Sequence, residues 1–188
     1  MNNQDALVKF DAVVAQIKTD SADGVVLVKA LDVVPEPIDW LWNSWLARGK
    51  LHLLAGPPGQ GKTTIAMSIA SVVSSGGLWP DGTSCEAGNV LIWSAEDDVS
   101  DTLVPRLIAA GDRRRCYFIQ GTRSKGEIRS FDPSRDIAAI EELIESHGGF
   151  SLLILDPVVT AGIGDSNANT DVRRGLQPLV DFANKCGA

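Results

Sequence analysis

Apolar residues recur along the chain in two alternating patterns, short continuous runs and longer amphipathic stretches. Four runs are each short and mostly apolar, which predicts buried strands. They span residues 51–55, 89–95, 116–120 and 151–155. Helical spacing and glycine stops predict four helices between and after them. These span residues 63–74, 101–110, 134–146 and 172–185. The alternation predicts an α/β fold in three layers, with a mostly parallel sheet and helices on both faces.

The pattern is different before residue 35. Residues 5–18 carry apolar side chains at helical spacing and predict an amphipathic helix, whereas residues 25–28 predict an edge strand. The Pro-Glu-Pro sequence at 35–37 favours an extended connector. We therefore predict an N-terminal helix and connector over 1–34, and a core domain over 35–188.

Two segments of the core depart from the alternation. Residues 121–133 are polar and basic, and they predict a mobile loop. The last predicted helix is followed by Gly187 and Ala188, at the point where the alternation predicts another strand returning to the sheet. The core is therefore expected to be truncated at its C-terminus.

A glycine-rich turn joins the first apolar run of the core to the helix after it. Gly56, Gly61, Lys62 and Thr63 match the pattern G-x-x-x-x-G-K-[ST], the P-loop or Walker A motif. In such a loop the backbone N–H groups face phosphates, the lysine reaches the β- and γ-phosphates, and the hydroxyl binds Mg²⁺. The alternative is a structural Gly/Pro turn. The predicted nucleotide contacts are Gly56, Pro57, Pro58, Gly59, Gln60, Gly61, Lys62, Thr63 and Thr64.

Acidic residues end two of the predicted strands. Asp156 follows an apolar strand, which is typical of a Walker B aspartate, and we expect it to hold Mg²⁺ together with Thr63. The alternative is an aspartate that opens a turn before Pro157. Glu96 ends the run over 89–95, where a carboxylate could orient the water that attacks the γ-phosphate.

The acids around Glu96 have a simpler interpretation as well. Asp97 and Asp98 follow it directly, and acids at a helix N-terminus are stabilised by the helix dipole. Lys62 and Glu96 as catalytic groups, with Thr63 and Asp156 as metal ligands, predict nucleoside triphosphate hydrolysis. Neither a nucleophile elbow nor a Cys/His signature supports acyl transfer.

Composition and net charge limit the classes of molecule that the protein is expected to bind. A net charge of −7 and a pI near 4.8 argue against a broad basic surface that wraps nucleic acid. Local basic clusters could form a groove, or each could be an ordinary solvated loop or helix face. They are 113–115, the group Arg123, Lys125 and Arg129, and 173–174. Cys85, Cys116 and Cys186 are widely spaced, which predicts free thiols in a reducing cytoplasm. No run approaches the roughly 20 apolar residues of a membrane span, so no membrane partner is expected.

The motifs together resemble a known family. Residues 37–41 and 49–64 resemble the RecA-like AAA-type ATPases related to hexameric plasmid replication helicases of the RepA kind. Further matching segments follow in the family's order. They are Leu78–Gly82, Val90–Asp98, Pro105–Leu107 and Leu152–Pro157.

The resemblance implies a RecA-type core that binds ATP and Mg²⁺, with Glu96 as the catalytic glutamate and Asp156 as the Walker B residue. It implies a homo-oligomeric, hexameric ring and single-stranded DNA as a partner, with residues 160–170 where related motors place DNA-facing segments. Trp40 and Trp42 would lie in an upstream segment that packs on the core or contacts another subunit. The family's sensor strand has no counterpart up to Ala188, which predicts weak turnover and poor ring assembly.

Three functions remain open from the sequence. The first is a helicase or helicase-like ATPase of DNA replication or of a mobile element, which the motif order favours. The second is a nucleotide-dependent switch or scaffold that binds ATP with little turnover. The third is a P-loop phosphotransferase, which would need a pocket for a second substrate. Glu96 suits an attacking water better than an acceptor hydroxyl.

Overall fold

The computed structural model describes residues 27–124, 126–156 and 169–187, and the chain divides into two compact units, residues 1–37 and 38–188. In the first unit, residues 27–37 form a single 3₁₀ turn at Ala30–Asp32 and are otherwise irregular. The strand predicted over 25–28 is wrong in its described part, because Leu27 and Val28 are 82% and 58% exposed and belong to no strand. The helix predicted over 5–18 lies outside the described residues.

The second unit contains the helices and strands that form the core. In chain order these are β1 (Trp40–Trp42), β2 (Leu46–Ala47), α1 (Lys62–Ser75), β3 (Val90–Ser94), α2 (Val104–Ala110), β4 (Cys116–Phe118), β5 (Thr122–Ser124), β6 (Glu127–Arg129), α3 (Pro133–Ser146), β7 (Leu152–Asp156) and α4 (Asn169–Cys186). A π-helical turn, Val99–Leu103, leads directly into α2.

A parallel sheet lies at the centre of this unit. Its strand order is β4-β3-β7, and β3 pairs with both neighbours in parallel. Val90 to Trp93 are buried, as expected for a strand with helices against both faces. Within the described residues, β7 forms a ladder with β3 along one edge and no ladder along the other.

Side chains that alternate along β3 separate the core into two clusters. Val90 and Ile92 pack with Met67 and Val73 of α1 and with Leu107 of α2. Leu91 and Trp93 point to the opposite face, where they pack with side chains of the other two helices and their flanking segments. Those side chains are Phe131, Ile140, Phe150 and Phe182. The predicted three-layer α/β fold with helices on both faces is therefore confirmed.

The strand predicted over Leu51–Ala55 is wrong. The segment forms no strand, and Leu53 and Leu54 are 63% and 52% exposed. The hydrogen bond of His52 is made outside the parallel sheet, since its Nε2 accepts from Ala47 N over 3.0 Å, and Lys50 just before the segment donates from Nζ to Asn184 Oδ1 of α4 over 2.8 Å. An apolar run becomes a strand only where it pairs with a neighbouring backbone, and residues 51–55 form no ladder with any described strand, although the outer edge of β7 is unpaired in the described residues.

The tryptophans after residue 38 pack on the core. Trp42 stacks between Trp45 and Trp79, with ring centroids 5.3 and 4.7 Å apart, and its Nε1 donates to Asp81 over 2.9 Å. Trp79 is 3% exposed and belongs to the core cluster that contains Met67 and Val73 of α1, called the α1 cluster below. Of the two alternatives given for this tryptophan segment, packing on the core is therefore the one that accounts for Trp42. Trp45, at the outer end of the stack, is 65% exposed.

The polar segment 121–133, predicted as a mobile loop, instead contains an ordered hairpin of β5 and β6. Arg129 at its end donates two hydrogen bonds, of 2.7 and 2.5 Å, to the carboxylate of Asp136 in α3. Thr122 Oγ1 and the Asp132 N–H donate to the same carboxylate. Asp136 is only 5% exposed, so this network anchors the hairpin to the helix.

We expect Asp136→Asn to lower the free energy of unfolding by about 2 to 3 kcal/mol, because a charge-assisted network is replaced by weaker neutral bonds. The Arg129 guanidinium holds the pKa of Asp136 well below its ordinary value of 3.8. A lowered folded-state pKa adds stability above that ordinary value, and the contribution is lost as the pH falls below about 4. Urea unfolding at pH 7 and pH 3 measures both effects. A variant that keeps the wild-type loss of stability in acid would contradict this account.

Candidate functional site

The loop between residue 55 and α1 is built to approach an anion through its backbone. Gly59 and Gly61 have φ of 77° and 78°, values that favour glycine, and no heavy atom lies within 4 Å of where a Cβ would stand on either. Every residue from Gly56 to Gly61 is exposed. A ligand can therefore reach the backbone N–H groups of this loop.

The start of α1 leaves its positive end uncompensated. Gly61 caps the helix without a side-chain hydrogen bond, and no acidic residue lies in the first turn. The first helical bond is donated by Ile65 N to Gly61 O, so the N–H groups of residues 62–64 have no acceptor within the helix. Unpaired N–H groups and the helix dipole both favour a bound anion at this position.

Lys62, the first residue of α1, turns its ammonium group back over the loop. Its Nζ donates to Gly56 O and Pro57 O, each over 3.0 Å. These two bonds place the positive charge above the glycine-rich turn. An anion held by the loop N–H groups would therefore lie within reach of this charge.

The two predicted metal ligands are in direct contact. Thr63 Oγ1 donates to Asp156 Oδ2 over 2.7 Å, which joins the start of α1 to the end of β7. Within the described ranges, no three His, Cys, Asp or Glu side chains cluster as a metal site. One hydroxyl and one carboxylate suit Mg²⁺, which keeps several waters and takes further ligands from substrate phosphates. The residues present therefore fit a magnesium–nucleotide complex rather than a metal held by protein alone.

The sheet register brings Glu96 to the same edge as Asp156. Ser94 pairs with Asp156 in the parallel ladder, and Ala95 N donates to Asp156 O over 2.9 Å. Glu96 follows immediately and is exposed. The predicted catalytic carboxylate and the predicted metal ligand therefore lie at the carboxyl ends of neighbouring strands.

Hydrogen bonds fix the turn that carries Glu96. The Ser94 hydroxyl accepts from the N–H groups of Glu96 and Asp97 over 3.3 and 3.0 Å. The Asp98 carboxylate accepts from Ser100 N and Asp101 N and so caps the π-helical turn. Bonds from the side chain and backbone of Ser100 lower the pKa of Asp98. Asp98 therefore has the role predicted for an acidic residue at a helix N-terminus.

Asp97 has a different partner, which sequence reasoning missed. Its Oδ2 accepts from Arg106 Nη1 of α2 over 2.6 Å. The two residues are nine positions apart, across the π-helical turn, so neither helical nor strand spacing signals the contact. The role of Ser94 was missed too, because a serine at a strand end has many ordinary uses.

A cleft of about 540 Å³ opens beside this turn, at the carboxyl ends of β3 and β4. Ser94, Asp97, Gln120 and Phe131 contribute to its walls. No residue of the glycine-rich loop lines it. The Glu96 turn therefore has the cleft on one side and the Asp156 end of β7 on the other.

A comparison with known protein families shows which family the chain belongs to. A family model described as an AAA domain matches residues 16–188. The chain belongs to this AAA family. No curated protein matches the sequence. Membership places this AAA domain among the nucleotide-binding P-loop ATPases. Among the residues that the structure describes, no helix is long and apolar enough to cross a membrane.

Proposed function

We propose that this AAA domain binds ATP with Mg²⁺ at the loop 56–61 and hydrolyses it with Glu96 as the group that orients water. The observation that carries the proposal is the contact between Thr63 and Asp156, with Glu96 in the turn two residues after Ser94, the register partner of Asp156 on the neighbouring strand. Three separate segments thus meet where phosphates, metal and water have to meet.

Each residue has one task in this proposal. The loop N–H groups and Lys62 bind the phosphates, and Thr63 and Asp156 hold the metal side. Bound Mg²⁺ supplies positive charge to the β- and γ-phosphate oxygens. Glu96 accepts a hydrogen bond from water in line with the γ-phosphorus. A bond forms from the water oxygen to phosphorus, the bond to the β-phosphate oxygen breaks, a proton of the water passes to the Glu96 carboxylate and from there to solvent, and ADP and phosphate leave.

We propose further that the hydrolysis drives a helicase-like motor of DNA replication or of a mobile element, assembled as a homo-oligomeric ring on single-stranded DNA. The support is the order of the motifs and their resemblance to plasmid replication helicases. The predicted DNA-facing segment, residues 160–170, falls almost wholly outside the described residues, and for its last two, Asn169 and Thr170, only the start of α4 is described. The basic residues Arg123 and Arg129 lie on the hairpin of β5 and β6.

Phosphate release from ATP, measured with and without single-stranded DNA, tests the motor. We expect turnover that increases when DNA is added, since a motor couples hydrolysis to its track. Turnover that DNA leaves unchanged would contradict the motor and leave an ATPase. ATP binding without turnover would instead favour the switch or scaffold.

Product analysis in the same reactions tests the phosphotransferase alternative. The cleft that opens beside the turn of residues 94–98 is the observation that favours it, because an acceptor would need a binding site of its own. We expect all of the γ-phosphate to appear as free phosphate, since Glu96 is exposed to water. A phosphorylated acceptor, formed when the reaction is supplemented with small metabolites, would overturn the hydrolase assignment.

A further inference from the structure

We propose that Arg106 is a positioning residue for Glu96, acting through its ion pair with Asp97. The inference rests on the proposed function, because it assigns Glu96 the task of orienting water. Arg106 belongs to α2, and Glu96 and Asp97 belong to the turn that follows β3. The ion pair is therefore a tie between a helix and the turn that carries the reacting carboxylate.

The ion pair adds a side-chain tie to the two hydrogen bonds that the Ser94 hydroxyl accepts from the Glu96 and Asp97 amides. The Glu96 side chain is exposed and makes no side-chain hydrogen bond to the described residues, so the direction of the carboxylate depends on the backbone that carries it. On one side, the ladder fixes that backbone at Ala95, whose N–H donates to Asp156 O. On the other side, the ion pair between Arg106 Nη1 and Asp97 Oδ2, 2.6 Å apart, fixes the backbone at Asp97.

Arg106 is itself well supported. The residue after it, Leu107, is fully buried in the α1 cluster. The π-helical turn that Asp98 caps leads directly into α2. The guanidinium is thus attached to a packed helix. Side chains of both partners are about one-third exposed, at 36% and 29%, so the pair lies at the surface. A surface ion pair contributes little to stability, which leaves geometry as its main contribution.

The contact is made by one guanidinium nitrogen and one carboxylate oxygen. A lysine can form a single bond of this kind, whereas it cannot replace a bidentate arginine. Arg106→Lys should therefore preserve the tie, and Arg106→Met should remove it while keeping an apolar stem of similar length. Arg114→Met is the matched control: Arg114 also forms a 2.6 Å pair, with Asp112, next to the amino end of β4 and away from Glu96.

The experiment measures kcat and KM for ATP in these variants, each made with Glu96 and with Glu96→Gln. With Glu96, we expect Arg106→Met to lower kcat between about 10-fold and 100-fold, because small displacements of a reacting group cost that much, and to leave KM unchanged. Arg106→Lys and Arg114→Met should keep the wild-type kcat. In the Glu96→Gln background, Arg106→Met should cause no further loss. An equal loss in both backgrounds, or a rise in KM alone, overturns the proposal.

Hydrogen exchange of residues 95–98 gives a readout that does not depend on turnover. We expect faster exchange at the Glu96 and Asp97 amides in Arg106→Met than in Arg114→Met, at an unchanged melting temperature. Unchanged exchange overturns the inference even if hydrolysis is confirmed. If wild type and Glu96→Gln release phosphate equally, the proposed role of Glu96 fails, and the exchange alone decides whether Arg106 holds the turn.

Discussion

Lys62→Ala should reduce both ATP binding and ATP turnover by at least about 100-fold, because on the proposed function it removes the positive charge that binds the β- and γ-phosphates. Lys62 Nζ lies over the glycine-rich turn on the carbonyls of Gly56 and Pro57, and the loop presents its N–H groups at the same place. Backbone N–H groups remain in the variant, but they carry only partial charges. Equilibrium binding of ATP and phosphate release measure the two losses separately.

Lys50→Ala provides the matched control for this prediction. Lys50 lies in the same approach to the loop, yet its Nζ donates to Asn184 Oδ1 and does not face the glycine-rich turn. The control removes the same charge from the chain, and it should bind ATP as the wild type does because the Lys50 ammonium group contacts Asn184 and not the loop. Equal losses in both variants would mean that net charge, and not the site, governs binding.

Glu96→Gln should lower kcat for ATP by about 100-fold or more and leave ATP affinity unchanged, because the amide keeps the shape of the side chain and loses its basicity. Glu96 follows the carboxyl end of β3, next to the Asp156 end of β7, and it belongs to a different segment from the loop 56–61 that is proposed to bind phosphates. Binding and turnover are therefore expected to separate in this variant. Single-turnover hydrolysis and equilibrium binding measure the two quantities.

Glu86→Gln is the corresponding control, since Glu86 is exposed in the segment between α1 and β3. It should retain the wild-type kcat. A Glu96→Gln variant that hydrolyses ATP at the wild-type rate would exclude Glu96 as the water-orienting group, whatever the result for Lys62. Loss of binding in Glu96→Gln would instead place this carboxylate on the nucleotide.

Local signals in the sequence predicted the elements that depend on local chemistry. α1 begins at Lys62 and ends after Ser75, where Gly76 adopts φ 67°, close to the bounds that the P-loop and the glycine stop predicted. β3 is buried as its apolar run indicated. The contact of Thr63 with Asp156 also follows from a topological rule, that strand ends and helix starts converge at one edge of a parallel sheet.

Features set by distant partners could not be predicted in the same way. Leu51–Ala55 has the composition of a strand, but pairing depends on which backbones are available, and the local sequence does not contain that information. The hairpin of β5 and β6 is polar, and its anchor is a buried carboxylate on a later helix. The contact between Asp97 and Arg106 crosses an irregular turn, where side-chain spacing has no fixed period.

The outer edge of β7 has a consequence for how molecules of this protein meet one another. An edge strand without a ladder presents its N–H and C=O groups as a template on which a strand of another molecule can add. β7 is apolar from Leu152 to Leu155, and Leu53 and Leu54 offer a second exposed apolar stretch without Pro or charge. Among the strands that the structure describes, β7 and β4 form the two edges of the sheet, and β7 is the more apolar edge on which intermolecular β-pairing could begin.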